Sequence, residues 1–260
     1  MAQQSTQEIK KDHNEKNIWN NDRIVKKDFW LFPIYIVMNN IVPIIFFVLI
    51  YGIYSIIDIK NESFFTDENI LIMSAVIAEI IIIYSFYAMH RKDRMISIAI
   101  DRFKKVPRYL LMMIAAYILI LILNSAYAGL MEFLPKSLQY NETQNQMLLE
   151  EMFVDNRMLP FLFIDIVILT PIIEELLFRH LIIHELGKKI TYGFATVLSI
   201  ALFAGVHVIG ATSPFEIGSY IIIAIGIAFV YLKSGMNLAL AITLHAVNNL
   251  ISLIAIVFTK

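Results

Sequence analysis

Residues 159–183 read LPFLFIDIVILTPIIEELLFRHLII. The stretch is apolar and long enough to cross about 30 Å of hydrocarbon as a helix, yet it carries Asp165, Glu174, Glu175 and Arg179. On insertion scales each charged side chain at mid-bilayer costs roughly 2.5–3.5 kcal/mol, so two adjacent carboxylates are tolerated only where they face a polar cavity shared with partners. Partners are at hand in the apolar runs that follow, which carry His207, His245 and Asn249.

The rest of the chain fits a membrane setting. Its 260 residues are 58% hydrophobic and 17% charged, with a mean hydropathy of +0.69, which is too apolar for a soluble domain of this size. The expected fold is all-α, a polytopic transmembrane helical bundle of about seven spans with a polar intramembrane cavity. The spans fall near residues 34–58, 70–89, 109–130, 159–183, 193–209, 217–232 and 237–258. Asn39, Asn40 and Pro43 interrupt the first, so a second reading has Phe29 to Val37 as an interfacial segment leading into a span from Ile41. No internal repeat or long linker is visible, giving two parts: a polar tail over residues 1–28 and a transmembrane domain over 29–260.

Counting Lys and Arg by connection gives seventeen on one side and four on the other, the four being Lys60, Lys136, Arg157 and Lys260. By the positive-inside rule the tail and the 90–108 connection are cytoplasmic, in a multi-pass protein of the cell membrane. Residues 1–28 lack the apolar core of a cleavable signal peptide. The 91–108 connection alternates basic residues with Met95, Ile96, Ile98, Ile100 and Phe103, which suits either an amphipathic helix on anionic lipid or a solvated basic loop. The 131–158 connection is acidic, and Gln146 to Met152 has the makings of a short helix. A net charge of −1 with scattered basic residues argues against a nucleic-acid partner. The absence of Cys excludes disulfides, thiol nucleophiles and Cys-based metal sites.

The polar residues of the later spans are spaced for a site. Glu175 and Arg179 are four apart, on one helical face in the favourable Glu-to-Arg order, while Glu174 points about 100° away toward a neighbouring cavity. His245 and Asn249 also share a face, and Phe203 stands four before His207, placed to pack on its imidazole. A carboxylate, two imidazoles and a carboxamide in a partly dry site are what amide hydrolysis requires: a base for water and donors for the oxyanion. Asp165 suits a water path or a structural hydrogen bond, and Glu79 has no evident partner. His184-Glu185-Leu-Gly-Lys188 ends in Lys where HExxH needs a second His, so His180, His184 and Glu185 read as a polar helix end. No GxSxG nucleophile elbow occurs.

At these residues the chain resembles the CPBP family of intramembrane proteases, the CAAX-protease and bacteriocin-processing group also called Abi. Glu174-Glu175-Leu-Leu-Phe-Arg179 matches its EExxxR motif, Phe203-Ala-Gly-Val-His207 its FxxxH motif and His245-Ala-Val-Asn-Asn249 its HxxxN motif, in order within residues 159–258. The resemblance implies an intramembrane endopeptidase acting on a membrane-associated peptide or protein in the bilayer. In it Glu174 activates water with His207, His245 and Asn249 form the oxyanion hole, and Glu175 and Arg179 orient the site. The expected chemistry needs no cofactor. A zinc-dependent version would use Glu174, His207 and His245 as ligands. A non-catalytic membrane protein for bacteriocin self-immunity or regulation, or a transport path through the same polar residues, are the readings outside enzymology. Repeats and paired broken helices typical of transporters are not visible. Abundant Ile, Lys and Asn suggests an AT-rich bacterial genome, which favours a peptide over a prenylated substrate. The sequence is silent on oligomeric state.

Overall fold

The computed structural model describes residues 17–57 and 64–259, and among them every regular element is helical. The expected tail lies outside the described residues up to residue 16. Among the described residues nine helices organise the fold. They are α1 (Leu31–Ile57), α2 (Asp67–Met89), α3 (Met95–Phe103), α4 (Leu110–Met131), α5 (Gln144–Glu151), α6 (residues 159–190), α7 (Tyr192–His207), α8 (Ile217–Lys233) and α9 (Leu238–Thr259). Among the described residues five helical stretches are long and apolar enough to cross a membrane: Lys26–Ile56, Asp67–Met89, Val106–Met131, Pro214–Lys233 and Leu238–Phe258. Tyr192–His207 is apolar but shorter. The result is a multi-pass helical membrane bundle. One end, here called the basic end, carries residues 17–30, 90–108, 187–191 and 233–237. The opposite end carries residues 64–66, 132–158 and 208–216.

Local sequence explains the helix limits. Thr66 caps α2 by accepting from the Asn69 amide, with Asp67 and Glu68 in the favourable first turn. Thr191, at φ +75°, reverses the chain between α6 and α7, which pack antiparallel. Gly187 serves that reversal, since a Cβ there would lie 2.6 Å from the Tyr192 ring. Two sequence readings are settled here. Pro43 does not divide the first span: α1 runs unbroken through it from Leu31, so Phe32 to Val37 belong to the helix and not to a separate interfacial segment. The 91–108 connection contains a helix, α3, rather than a solvated loop. Arg102 of α3 donates to the Met236 carbonyl at 2.7 Å, and Asn237 donates back to the Arg102 carbonyl at 3.1 Å.

Helix α6 is central. It alternates α-helical turns with π-helical ones over Phe163–Leu169 and Leu176–Leu186. Such wide turns recur at functional sites because they rotate side chains out of the ordinary register. Around it Ile173, Leu176, Leu177, Phe178 and Leu181 pack on Ile82 and Phe86 of α2, Phe203 of α7 and Ala224 of α8. Helix α1 lies outermost, with Ile44, Val48, Leu49 and Ile56 exposed, as suits a lipid-facing helix. Lipid tails are as apolar as leucine, so helix association here depends on close packing rather than on escape from water. Gly218 and Gly226 of α8 show this, for a Cβ at either would lie 2.1 Å from Tyr127 or 2.4 Å from Ile120 of α4.

Residues 17–28 do more than trail from the bundle. Trp19 is buried at the basic end, where its indole donates to Asp28 at 2.8 Å. The Val25 amide donates to Glu185 of α6 at 2.7 Å. A polar composition concealed this, because the partners on α6, Glu185 and His180, lie far away in sequence.

Candidate active site

Helices α6, α7 and α9 bring their polar side chains together. Glu175 and Arg179 are fully buried, with Arg179 Nη1 donating to Glu175 Oε1 at 2.9 Å. The same carboxylate oxygen accepts from His245 Nδ1 of α9 at 2.8 Å. Arg179 also lies 4.6 Å over the Phe203 ring and reaches the Ala224 carbonyl. Two charges removed from water are held by this pairing, though Glu175 Oε2 and Arg179 Nε find no further partner among the described residues, and deleting either charge would strand the other.

With Nδ1 tied to Glu175, His245 turns Nε2 toward Glu174, 3.7 Å from its Oε2. His207 is set in a parallel way. Its Nδ1 donates to the Phe203 carbonyl at 2.7 Å, and its Nε2 lies 3.8 Å from the same Glu174 oxygen. Both separations exceed a direct hydrogen bond. Glu174 Oε2 is buried and finds no hydrogen-bond partner among the described residues. Asn249 donates to the Ile166 carbonyl at 2.9 Å and accepts from Asn248 at 3.3 Å, so its carboxamide is fixed with one N–H left over.

These groups line a cavity of about 570 Å³ that extends toward the opposite end, where residues 140–152 form part of its wall. Glu174, His207, His245 and Asn249 face it, whereas Glu175 and Arg179 sit behind. All six residues singled out in the sequence therefore gather in one place, in two layers. Phe203 packs on His207 as the spacing predicted, with ring centroids 4.5 Å apart.

Tyr220 is a residue that sequence reading missed. Its ring stacks on His207 at 4.9 Å and 27°, opposite Phe203, and its hydroxyl pairs with Thr143 at 2.9 Å. A tyrosine within the apolar run of α8 was the only signal for it. Asp165 lines the cavity, and Glu79 gains the partner it lacked, accepting from Thr170 at 2.8 Å.

Two sets of side chains have the composition of a metal site. In the set of Glu174, His207 and His245 the Nε2 atom of each imidazole lies 3.7–3.8 Å from Glu174 Oε2, and each ring is anchored through Nδ1, as ligating histidines are. His180, His184 and Glu185 have ligand atoms within 4.8 Å of one another. There the Glu185 carboxylate already accepts from Lys188, Val25 and His184, each at 2.7 Å, and so serves the polar helix end expected from sequence.

Residues 156–251 match the family model described as type II CAAX prenyl endopeptidase Rce1-like. No curated protein and no solved structure gives a match.

Proposed function

Because this chain belongs, through residues 156–251, to the CAAX-protease (CPBP) family, we propose that it is an intramembrane endopeptidase in which Glu174 activates the attacking water. The observation that carries the reading is the gap of 3.7–3.8 Å between Glu174 Oε2 and the Nε2 atoms of His207 and His245, inside a polar cavity of a membrane bundle. The gap is too wide for direct bonds and suited to an oxygen atom held by all three groups.

In the proposed reaction the water gives a proton to Glu174 while its oxygen attacks the carbonyl carbon of a peptide bond. His207, held by Phe203 and Tyr220, accepts a hydrogen bond from the water's other O–H, which stays on the oxygen, and so aims its lone pair. The developing oxyanion lies against the free N–H of Asn249, with His245 Nε2 as second donor when that nitrogen carries a proton. As the carbon–nitrogen bond breaks, Glu174 passes its proton to the leaving amine and regains its charge. Glu175 and Arg179 act through His245, whose ring direction they fix.

The substrate in this reading is a membrane-associated peptide or protein, and the positive-inside count supports a cytoplasmic N-terminus. Peptides released from membranes of wild-type cells should be absent from cells carrying Glu174→Ala. Retained cleavage by purified Glu174→Gln protein would remove Glu174 from the mechanism. The zinc-dependent version draws support from the Nδ1 anchoring of both imidazoles. It requires stoichiometric metal in the purified protein and loss of activity with chelator, whereas the metal-free reaction survives both tests.

A further inference from the structure

A second cavity, of about 260 Å³, lies toward the basic end and shares no lining residue with the catalytic one. One face of α3 roofs it, since Met95, Ile98, Ala99, Arg102 and Phe103 are helical neighbours and all line it. Polar bonds pin α3 at both ends. Asp93, just before it, is paired with Lys27 and His90, and at its close Arg102 and Asn237 tie it to the start of α9. Thus held, α3 does not close onto α2 and α6, and the groove left between them is lined mainly by apolar side chains. An apolar gap forfeits packing contacts and does not hold water. In a bilayer its natural content is hydrocarbon.

Length and charge identify its source. Ile172 and His184, twelve residues apart on α6, both line the groove, so it runs for roughly 18 Å from the basic end, comparable with the ~15 Å depth of one leaflet's hydrocarbon. Arg102 stands at the polar mouth. Its Nη1 donates to the Met236 carbonyl, and no carboxylate among the described residues pairs with it. His180 and His184 are already engaged, by Asp28 and Glu185. Among the described residues no carboxylate lines the groove, and residues 91–108 carry seven Lys and Arg against Asp93 and Asp101. Such a mouth attracts an anion and opposes a choline-type cation. The chain's own tail is a poor filler, because residues 1–16 hold Met1, Ala2 and Ile9 as their only apolar side chains. We propose that the groove is a binding site for an anionic phospholipid, with one acyl chain lying along α3 and α6 and the phosphate received by Arg102. Such a lipid binds whether or not the chain cleaves peptides.

Trp19 lines the groove, and the chain's other tryptophan, Trp30, is exposed and does not. The full chain carrying Trp30→Phe therefore reports on the groove through Trp19 fluorescence, in phosphatidylcholine bilayers doped with lipids brominated near the headgroup end of the acyl chains, which quench on contact. Brominated phosphatidylglycerol should quench Trp19 at about one-tenth the mole fraction that brominated phosphatidylcholine requires, a preference of the size one charge-assisted contact supplies. On this background Arg102→Gln should remove most of the preference. Ala99→Phe, which fills the groove and leaves Arg102 in place, should remove it as well. Glycerol phosphate, which has the headgroup's charge and no chain, should not relieve the quenching. Equal quenching by the two lipids, or a preference that survives either substitution, overturns the inference. Absence of quenching also overturns it and assigns the groove to the tail or to a second copy of the chain, while displacement by glycerol phosphate makes the site one for free phosphate esters and overturns the lipid. Thermal unfolding in detergent identifies any variant that fails to fold, and the two-lipid comparison on Trp30→Phe protein is decisive without Arg102→Gln or Ala99→Phe.

Discussion

Helix α6 carries two clusters built from the same chemistry, carboxylates with imidazoles, and treats them in opposite ways. At the basic end Asp28 accepts from Trp19 at 2.8 Å and meets His180 at 2.7 Å, with His90 Nε2 2.9 Å from its other oxygen. Glu185 is equally occupied, by Lys188, His184 and Val25. Around Glu174 the corresponding distances open to 3.7 and 3.8 Å, and the carboxylate oxygen that faces both imidazoles is left without a partner. Desolvating a carboxylate costs free energy that direct bonds recover. A cluster whose carboxylates are held by direct bonds of 2.7–2.8 Å, as Asp28 and Glu185 are, is a fastener. One that forgoes such bonds keeps room for a reacting atom, so the gap distinguishes the two more sharply than residue type does.

The largest effect expected from this contrast is at Glu174. Glu174→Gln should lower peptide cleavage by at least about 10²–10⁴-fold, the usual contribution of a general base, while thermal unfolding in detergent stays near wild type. Asp28→Ala should do the reverse. It leaves the buried donors of Trp19 and His180 unpaired at about 1–3 kcal/mol each, so the melting temperature should fall while each folded molecule remains active. If Asp28→Ala abolished cleavage in folded protein, the division into fastener and site would fail. Glu175→Ala belongs between them. It strands Arg179 in the protein interior at about 3–5 kcal/mol and frees His245, so stability and cleavage should both drop, which parallel unfolding and activity assays on one preparation will show.

What the sequence disclosed follows the range of the forces involved. Runs of apolar residues dictate helices, because backbone groups in lipid must bond internally, so α2, α4, α8 and α9 were legible to within a few residues. The site residues were legible because charge in an apolar run needs compensation, and Glu175 with Arg179 could be paired by helical spacing alone. The two-layer arrangement was not legible: Glu175 meets His245 seventy positions away, and no local pattern encodes that contact. The same limit hid the Asp28 cluster, which joins residues 152 positions apart, and the stacking of Tyr220 on His207. The π-helical turns of α6 also left no trace in hydrophobic spacing.

Tyr220 offers a smaller, graded test on the open side of the contrast. Tyr220→Ala removes one face of the stack on His207 and the bond to Thr143. Loss of one aromatic pair amounts to about 0.5–1.5 kcal/mol, so kcat/KM should fall by up to about tenfold. Tyr220→Phe keeps the stack and should restore most of the activity. Equal losses in the two variants would assign the role to the hydroxyl and the 140–152 wall instead.

The smallest effect lies on the fastened side and is read by pH. Burial raises the Asp93 carboxyl, but hydrogen bonds from Lys27 and His90 outweigh it, leaving the group below its ordinary value of 3.8. A depressed carboxylate stabilises the folded state in full above its unfolded pKa, and that contribution fades as pH falls through the lower folded value. Asp93 is partly exposed, so solvent screening keeps the effect small. Asp93→Asn should thus lower the melting temperature slightly at pH 6, and its difference from wild type should shrink as the pH drops below about 4. Lys27 comes from the segment that holds Asp28, so hydrogen exchange of residues 17–28 should rise with the same pH dependence in wild type. Exchange that is insensitive to acid would show that Asp28 and Glu185 fasten the segment without help from Asp93.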